Sequence, residues 1–148
     1  MKNMQPTLKQ VDSFWVYGLT VRTQNSDELN ENKAQIPGLW QRFQSNTTMH
    51  DQKIFGIYNE YESDVKSPYN YTLGVIQNKS SEDFHAVEVK SGNYLVFQAR
   101  GLMPQVVIDL WQFIWQFFND NYQIKRTYQT DFESYDSQDE VAIYIGIE

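Results

Sequence analysis

Cysteine is absent from the 148 residues, so neither a disulfide framework nor thiolate chemistry is open to this chain. That agrees with a reducing compartment, and a cytoplasmic protein is expected. No apolar run approaches the roughly 18 residues that span a bilayer. The polar stretch Met1–Ser13 lacks the apolar core of a signal peptide. Histidine is scarce too: His50 and His85 are far apart and have no companion ligands, so no metal and no other cofactor is expected. Positive charge is short as well. Against 19 acidic residues stand 12 basic ones, scattered along the chain, for a net charge of −7. An acidic surface repels phosphate, and neither a helix-turn-helix pair nor zinc-finger spacing occurs, so direct nucleic-acid binding is not expected. A P-loop, a dinucleotide fingerprint and a Ser-His-Asp order are all missing.

Aromatic residues, by contrast, are plentiful, at 16% with four tryptophans and ten tyrosines. A pocket for flat organic molecules is one use for such an excess. The length fits a single domain, residues 1–148, large enough to bury a real core. Within it one pattern is written twice. Leu39-Trp40-Gln41 returns as Leu110-Trp111-Gln112, 71 residues later. Phe55-Gly56-Ile57-Tyr58 aligns with Phe132-Glu133-Ser134-Tyr135 at an offset of 77, and Gly74 with Gly146 at 72. Two repeats, about 12–77 and 84–148, therefore look like one unit with altered loops, joined by the polar linker Asn78–Asp83.

Periodicity supplies the elements. Phe14–Arg22, rich in aromatic and β-branched residues, reads as a strand, and Thr23–Lys33 as a loop. Ile36, Leu39, Trp40 and Phe43 fall at helical spacing behind a proline suited to a first turn. Lys53–Tyr61 and Tyr69–Gln77 read as a hairpin. In the second half, Phe84–Val89 reads as a strand, Ser91–Asn93 as a turn and Tyr94–Ala99 as a strand. Val106–Asn119 is the clearest helix: Asp109, Gln112, Gln116 and Asn119 form one polar stripe and nearly all else on it is apolar. Gln129–Tyr135 and Val141–Ile147 close the chain as a second hairpin. The expected class is α+β, a duplicated βαββ unit with a mainly antiparallel sheet, two helices and a central ligand groove.

The two copies differ at one telling place, where Gly56 of the first corresponds to Glu133 of the second. Side chains alternate along a strand, so if Phe55 and Phe132 share a layer, Glu133 and Tyr135 face the other way with Gly56 and Tyr58. Placing Gly74 and Gly146 on the same side adds Tyr144 and Thr72 to that face. The expected groove is then lined by Glu133, Tyr58, Tyr135 and Tyr144, with Trp40, Trp111 or Trp115 as walls. A carboxylate among aromatic rings suits a lipophilic cation, because charge and ring quadrupoles act together, each cation–π contact adding on the order of 0.5–2 kcal/mol. Other readings stand beside this one. A lone glutamate in a strand also suits a solvated face, and Trp111 and Trp115, one helical turn apart, also suit a core. Glu60, Glu62 and Asp64, like Asp136, Asp139 and Glu140, read as solvated turns.

The closing block Asp131-Phe132-Glu133-Ser134-Tyr135-Asp136, followed by Glu140–Ile147, resembles the effector-binding domain of AraC-type transcription regulators, the GyrI-like small-molecule-binding family. Gly56-Ile57-Tyr58, Tyr69–Val75 and Tyr94–Phe97 support the resemblance, which covers roughly residues 10–148. It implies a pseudo-twofold duplication whose central groove binds small organic molecules, often lipophilic cations held by a buried glutamate, and that glutamate falls on Glu133. In regulators the domain is joined to a DNA-binding domain. About ten polar residues precede it here, so a stand-alone member is expected. The resemblance implies four roles: capture of small amphipathic cations for sensing or sequestration, hydrolysis of reactive electrophiles with Glu133 and a nearby tyrosine, regulation through a protein partner, and a protein-interaction role such as modulation of gyrase. The expected associations beyond the ligand are a protein partner or a homodimer.

Overall fold

The computed structural model describes residues 5–44, 53–63, 66–76 and 84–148. Its strands are β1 (Thr7–Val11), β2 (Phe14–Thr23), β3 (Ile54–Asn59), β4 (Tyr69–Val75), β5 (His85–Val89), β6 (Gly92–Arg100), β7 (Arg126–Ser137) and β8 (Glu140–Ile147). Its helices are α1 (Asn25–Glu28), α2 (Ile36–Gln44) and α3 (Gln105–Asp120). The strands form one sheet in the order β1-β6-β8-β7-β3-β4-β2-β5, and every neighbouring pair is antiparallel. Exchanging β1 with β5, β6 with β2, β8 with β4 and β7 with β3 reverses that order onto itself. The duplication is therefore a pseudo-twofold whose axis runs between β3 and β7. The expected α+β fold is the one observed.

Two elements were not foreseen. The sequence marks Thr7–Val11 only as polar chain, yet it pairs with β6. An edge strand bonds through its backbone while its side chains stay in solvent, so no apolar alternation marks it. Inside the expected loop Thr23–Lys33 lies the single turn α1, which ends at Glu28. The Glu28 carboxylate accepts from Thr23 Oγ1 at 2.6 Å and from the backbone N–H groups of Gln35 at 2.9 Å and Ile36 at 3.1 Å. It thus satisfies donors that the start of α2 leaves without intrahelical partners. The expected linker Asn78–Asp83, together with Asp64 and His50, lies outside the described residues. The expected turn at Ser91–Asn93 is shorter, because β6 already begins at Gly92.

Both longer helices lie on one face of the sheet, for the reason their sequences suggest. α2 buries Leu39 and Phe43 among Tyr58, Tyr71, Leu73 and Val75. α3 buries Val106, Leu110 and Ile114, spaced one turn apart, against Phe97, Val141, Ile143 and Ile145. Its polar stripe is exposed as expected, and Ile108 is exposed beside it. The opposite face of the sheet carries its own apolar cluster of Val16, Phe55, Ile57, Val89, Tyr94 and Phe132. The helix face thus has one cluster under α2 and another under α3, with the central strands β3 and β7 between them.

Candidate functional site

At the pseudo-twofold axis Gly56 of β3 stands directly across from Glu133 of β7. Glu133 is 2% exposed, and its two oxygens are fully engaged. Oε1 accepts the hydroxyls of Tyr71 and Tyr135, each at 2.8 Å. Oε2 accepts the hydroxyl of Tyr58 at 2.7 Å and the indole N–H of Trp111 at 2.8 Å. The glycine makes this possible: a β-carbon at position 56 would come within 2.6 Å of Glu133 Oε1 and would overlap the Tyr71 hydroxyl. Burial, followed by the neighbouring Glu133 charge, pushes the Tyr58, Tyr71 and Tyr135 phenols well above the usual tyrosine value. They remain O–H donors at neutral pH.

Two residues earlier on the same face of β7, Asp131 is also buried, at 0% exposure. Its surroundings differ in one respect. Asp131 Oδ2 meets Arg126 Nη2 at 2.7 Å and accepts the Tyr61 hydroxyl at 2.6 Å, while Oδ1 accepts the Gly146 backbone N–H at 2.9 Å. One buried carboxylate therefore has its cation inside the fold. Among the described residues Glu133 has none, only four neutral donors.

Glu133 lines a cleft of about 1320 Å³ that opens between α2 and α3, and Asp131 lies behind its own partners Arg126 and Tyr61, which reach that lining in its place. Trp40 and Ile36 line the cleft from α2, Trp111, Trp115 and Val107 from α3, and Tyr58, Tyr69, Tyr71, Glu133 and Tyr135 from the sheet. Tyr58 packs on Tyr71 at 4.8 Å and on Trp111 at 5.1 Å, and Trp111 lies 6.1 Å from Trp115, while Trp40 meets Tyr135 edge-on at 4.9 Å as a second ring pair. The other charges on the lining are already engaged. Lys53 pairs with Asp136 at 2.9 Å, Arg126 with Asp131, and Glu28 is occupied at α2.

The structure brings Glu133, Tyr58 and Tyr135 to this cleft, on the face that strand alternation gives them, and Trp40, Trp111 and Trp115 line it from the helices. Tyr144 is the exception. It is directly opposite Phe132 in the β7–β8 register and stacks on that ring at 4.3 Å, on the far face of the sheet. Glu133 is opposite Ile143 instead. Counting faces from Gly74 and Gly146 shifted both outer strands by one residue, and a shift of one reverses every side chain. The same shift hid Tyr71, which pairs with Tyr58 in register and takes the place expected for Thr72. Tyr69, Tyr61 and Arg126 were missed as well. The alternation Tyr69-x-Tyr71 beside Tyr58 is the signal that finds two of them, once the hairpin is aligned from its turn. Among the described residues no cluster of His, Asp and Glu is arranged to hold a metal, and none of the described helices is long and apolar enough to cross a membrane.

Comparison with known proteins places this geometry in context. A profile of the family described as integron-associated effector-binding proteins (Cass2) matches residues 7–147. The integron cassette protein VCH_CASS2, from the mobile metagenome of Vibrio cholerae, is 35% identical, with a TM-score of 0.87 over 99% of this chain and 100% of that one. A Bacillus subtilis (strain 168) protein that carries the name of a transcriptional regulator, YobU, is 27% identical over 88% of this chain and 89% of its own. The structure of SAV2435 bound to tetraphenylphosphonium shares the fold at a TM-score of 0.77 and 18% identity, over 98% of this chain and 94% of that one.

Proposed function

The chain belongs to the family of integron-associated effector-binding proteins, and from that premise we propose that its cleft captures amphipathic organic cations, with Glu133 as counter-charge and Tyr58, Tyr71, Tyr135, Trp40, Trp111 and Trp115 as the surrounding rings. The observation that carries the reading is the unequal treatment of two buried carboxylates on one strand. Asp131 is neutralised by Arg126, whereas Glu133 is hydrogen-bonded only by neutral groups. A negative charge held indoors without a cation supplies attraction that a cationic ligand completes, and the ring faces around it add cation–π contacts. SAV2435, a relative in fold, holds the lipophilic cation tetraphenylphosphonium, which accords with this.

The cleft volume exceeds the few hundred cubic ångströms a small drug needs, so several flat cations of different outline fit one site. Such breadth suits a sensor or a sequestering protein, and the name of the relative YobU accords with effector sensing in transcription, in which a protein partner would read the ligand state. Hydrolysis is less well supported. Each phenol near Glu133 donates to it and is held protonated, so none is poised as a base.

The test is calorimetric titration of the protein and its Glu133→Gln variant with a cationic aromatic dye and a neutral dye of similar outline. The variant should lose at least about tenfold in affinity for the cation, equivalent to 1.4 kcal/mol, and much less for the neutral dye. Equal losses for the two would remove the charge argument.

A further inference from the structure

Resting on the cation-capture reading, we propose that the site selects onium ions without N–H groups, quaternary ammonium or phosphonium, over protonated amines, and that Tyr71 is a residue that sets this preference. A carboxylate offers about four acceptor positions. In Glu133 all four are taken: Tyr71 and Tyr135 fill Oε1, and Tyr58 and Trp111 fill Oε2, at 2.7 to 2.8 Å. An arriving ammonium N–H finds no free lone pair. It must either displace one donor, orphaning a buried hydroxyl or indole N–H, or leave its own N–H unpaired after losing its water. A quaternary cation carries no donor to satisfy. It responds to the field of the carboxylate and to the ring faces alone, and both remain available.

The same fold shows what a site for an N–H cation looks like. Asp131 spreads three donors over its oxygens, and one of them is the Arg126 guanidinium itself. Glu133 differs by having its quota filled with neutral groups before any ligand arrives. Tyr71 is the donor least free to step aside. It is fully buried, and its hydroxyl occupies the space above Gly56 that a side chain would otherwise claim. Tyr135 and Trp111 are only partly buried on the cleft wall.

The experiment titrates the full chain at pH 7 with naphthylmethylammonium, its N,N-dimethyl form and its N,N,N-trimethyl form. The first step replaces two N–H groups by methyls but keeps one N–H to aim at Glu133, and so sets the gain per methyl while the conflict with the filled carboxylate persists. The second removes the last N–H. That second step should raise affinity about tenfold or more, clearly beyond the gain per methyl of the first. In Tyr71→Phe, where Oε1 regains an acceptor position, the second step should shrink to about the gain per methyl of the first. Tyr135→Phe frees the other position on Oε1 and repeats the test should Tyr71→Phe fail to fold. A dimethylammonium ligand bound as tightly as the trimethyl one would overturn the proposal, as would a second step of unchanged size in both variants. Glu133→Gln separates the layers: trimethylammonium affinity unchanged in that variant overturns cation capture and this proposal together. Lost affinity without a step between the dimethyl and trimethyl forms overturns this proposal alone.

Discussion

Four neutral donors around one carboxylate set the chemistry of Glu133, and the absence of a β-carbon at Gly56 permits it. Each donor is aromatic, so the groups that stabilise the charge also present ring faces to whatever enters. Satisfaction of both oxygens keeps the buried group tolerable without cancelling its charge. Tyr144 shows by contrast how little composition decides. It is an aromatic residue on the neighbouring strand, yet it stacks on Phe132 at 4.3 Å beneath the sheet. Tyr144→Ala should therefore lower the melting temperature, the ring pair alone accounting for about 0.5–1.5 kcal/mol. Its affinity for a cationic dye should equal that of the parent protein. A weakened affinity in a folded Tyr144→Ala variant would contradict this placement.

The element that matters most is β7, which carries both buried carboxylates on one face. Regular alternation would put Arg126 and Asp131, five positions apart, on opposite faces. The register with β8 slips between them, and Tyr128 in that stretch takes a positive φ of 54°. Such an irregularity re-aims a side chain, and here it delivers the guanidinium to Asp131 and lays it over the Tyr128 ring at 4.5 Å. Removing the Asp131 charge leaves Arg126 buried without its counter-ion. Asp131→Asn should accordingly cost about 3–5 kcal/mol of stability, read from urea unfolding. A cost below 1 kcal/mol would mean that Arg126 finds solvent or another partner. α2 and α3 act on the same strand from above: they supply Trp40, Trp111 and Trp115, and their separation is the mouth of the cleft.

Over the whole molecule, duplication yields a symmetric sheet, and the departure from symmetry is the site. The same position relative to the axis holds a glycine in one half and a carboxylate in the other, so one ligand-sized hollow receives one charge. Burial of the surrounding phenols also ties stability to pH. Tyr58, Tyr71 and Tyr135 have folded-state values raised well above the ordinary one, by burial first and by Glu133 second. Stability from raised values is complete below the unfolded-state pKa of about 10 and falls as pH climbs above it, by up to about 1.4 kcal/mol per pH unit for each group. The urea midpoint should hold steady between pH 7 and 9 and drop steeply between pH 10 and 11. Tyrosinate absorbance from these rings should emerge only together with unfolding. A midpoint that stays level through pH 11 would show that these phenols ionise as readily in the fold as outside it.

Much of this was legible along the chain because it depends on local period and on repetition. The α3 stripe, the spacing of Leu39 and Phe43, the twofold pattern and the pairing of Gly56 with Glu133 are all written in residue order, and alternation alone puts Tyr58 and Tyr135 beside Glu133. What alternation cannot supply is register between strands. Cross-strand hydrogen bonding decided that Tyr71 faces the carboxylate and Tyr144 does not, and a bulge decided that Arg126 reaches Asp131. The edge strand β1 left no mark in the sequence because its side chains stay in water. That Glu133 accepts four donors, and so has none of its lone pairs to offer, depends on four side chains from four elements meeting at one point, and only the folded chain brings them together.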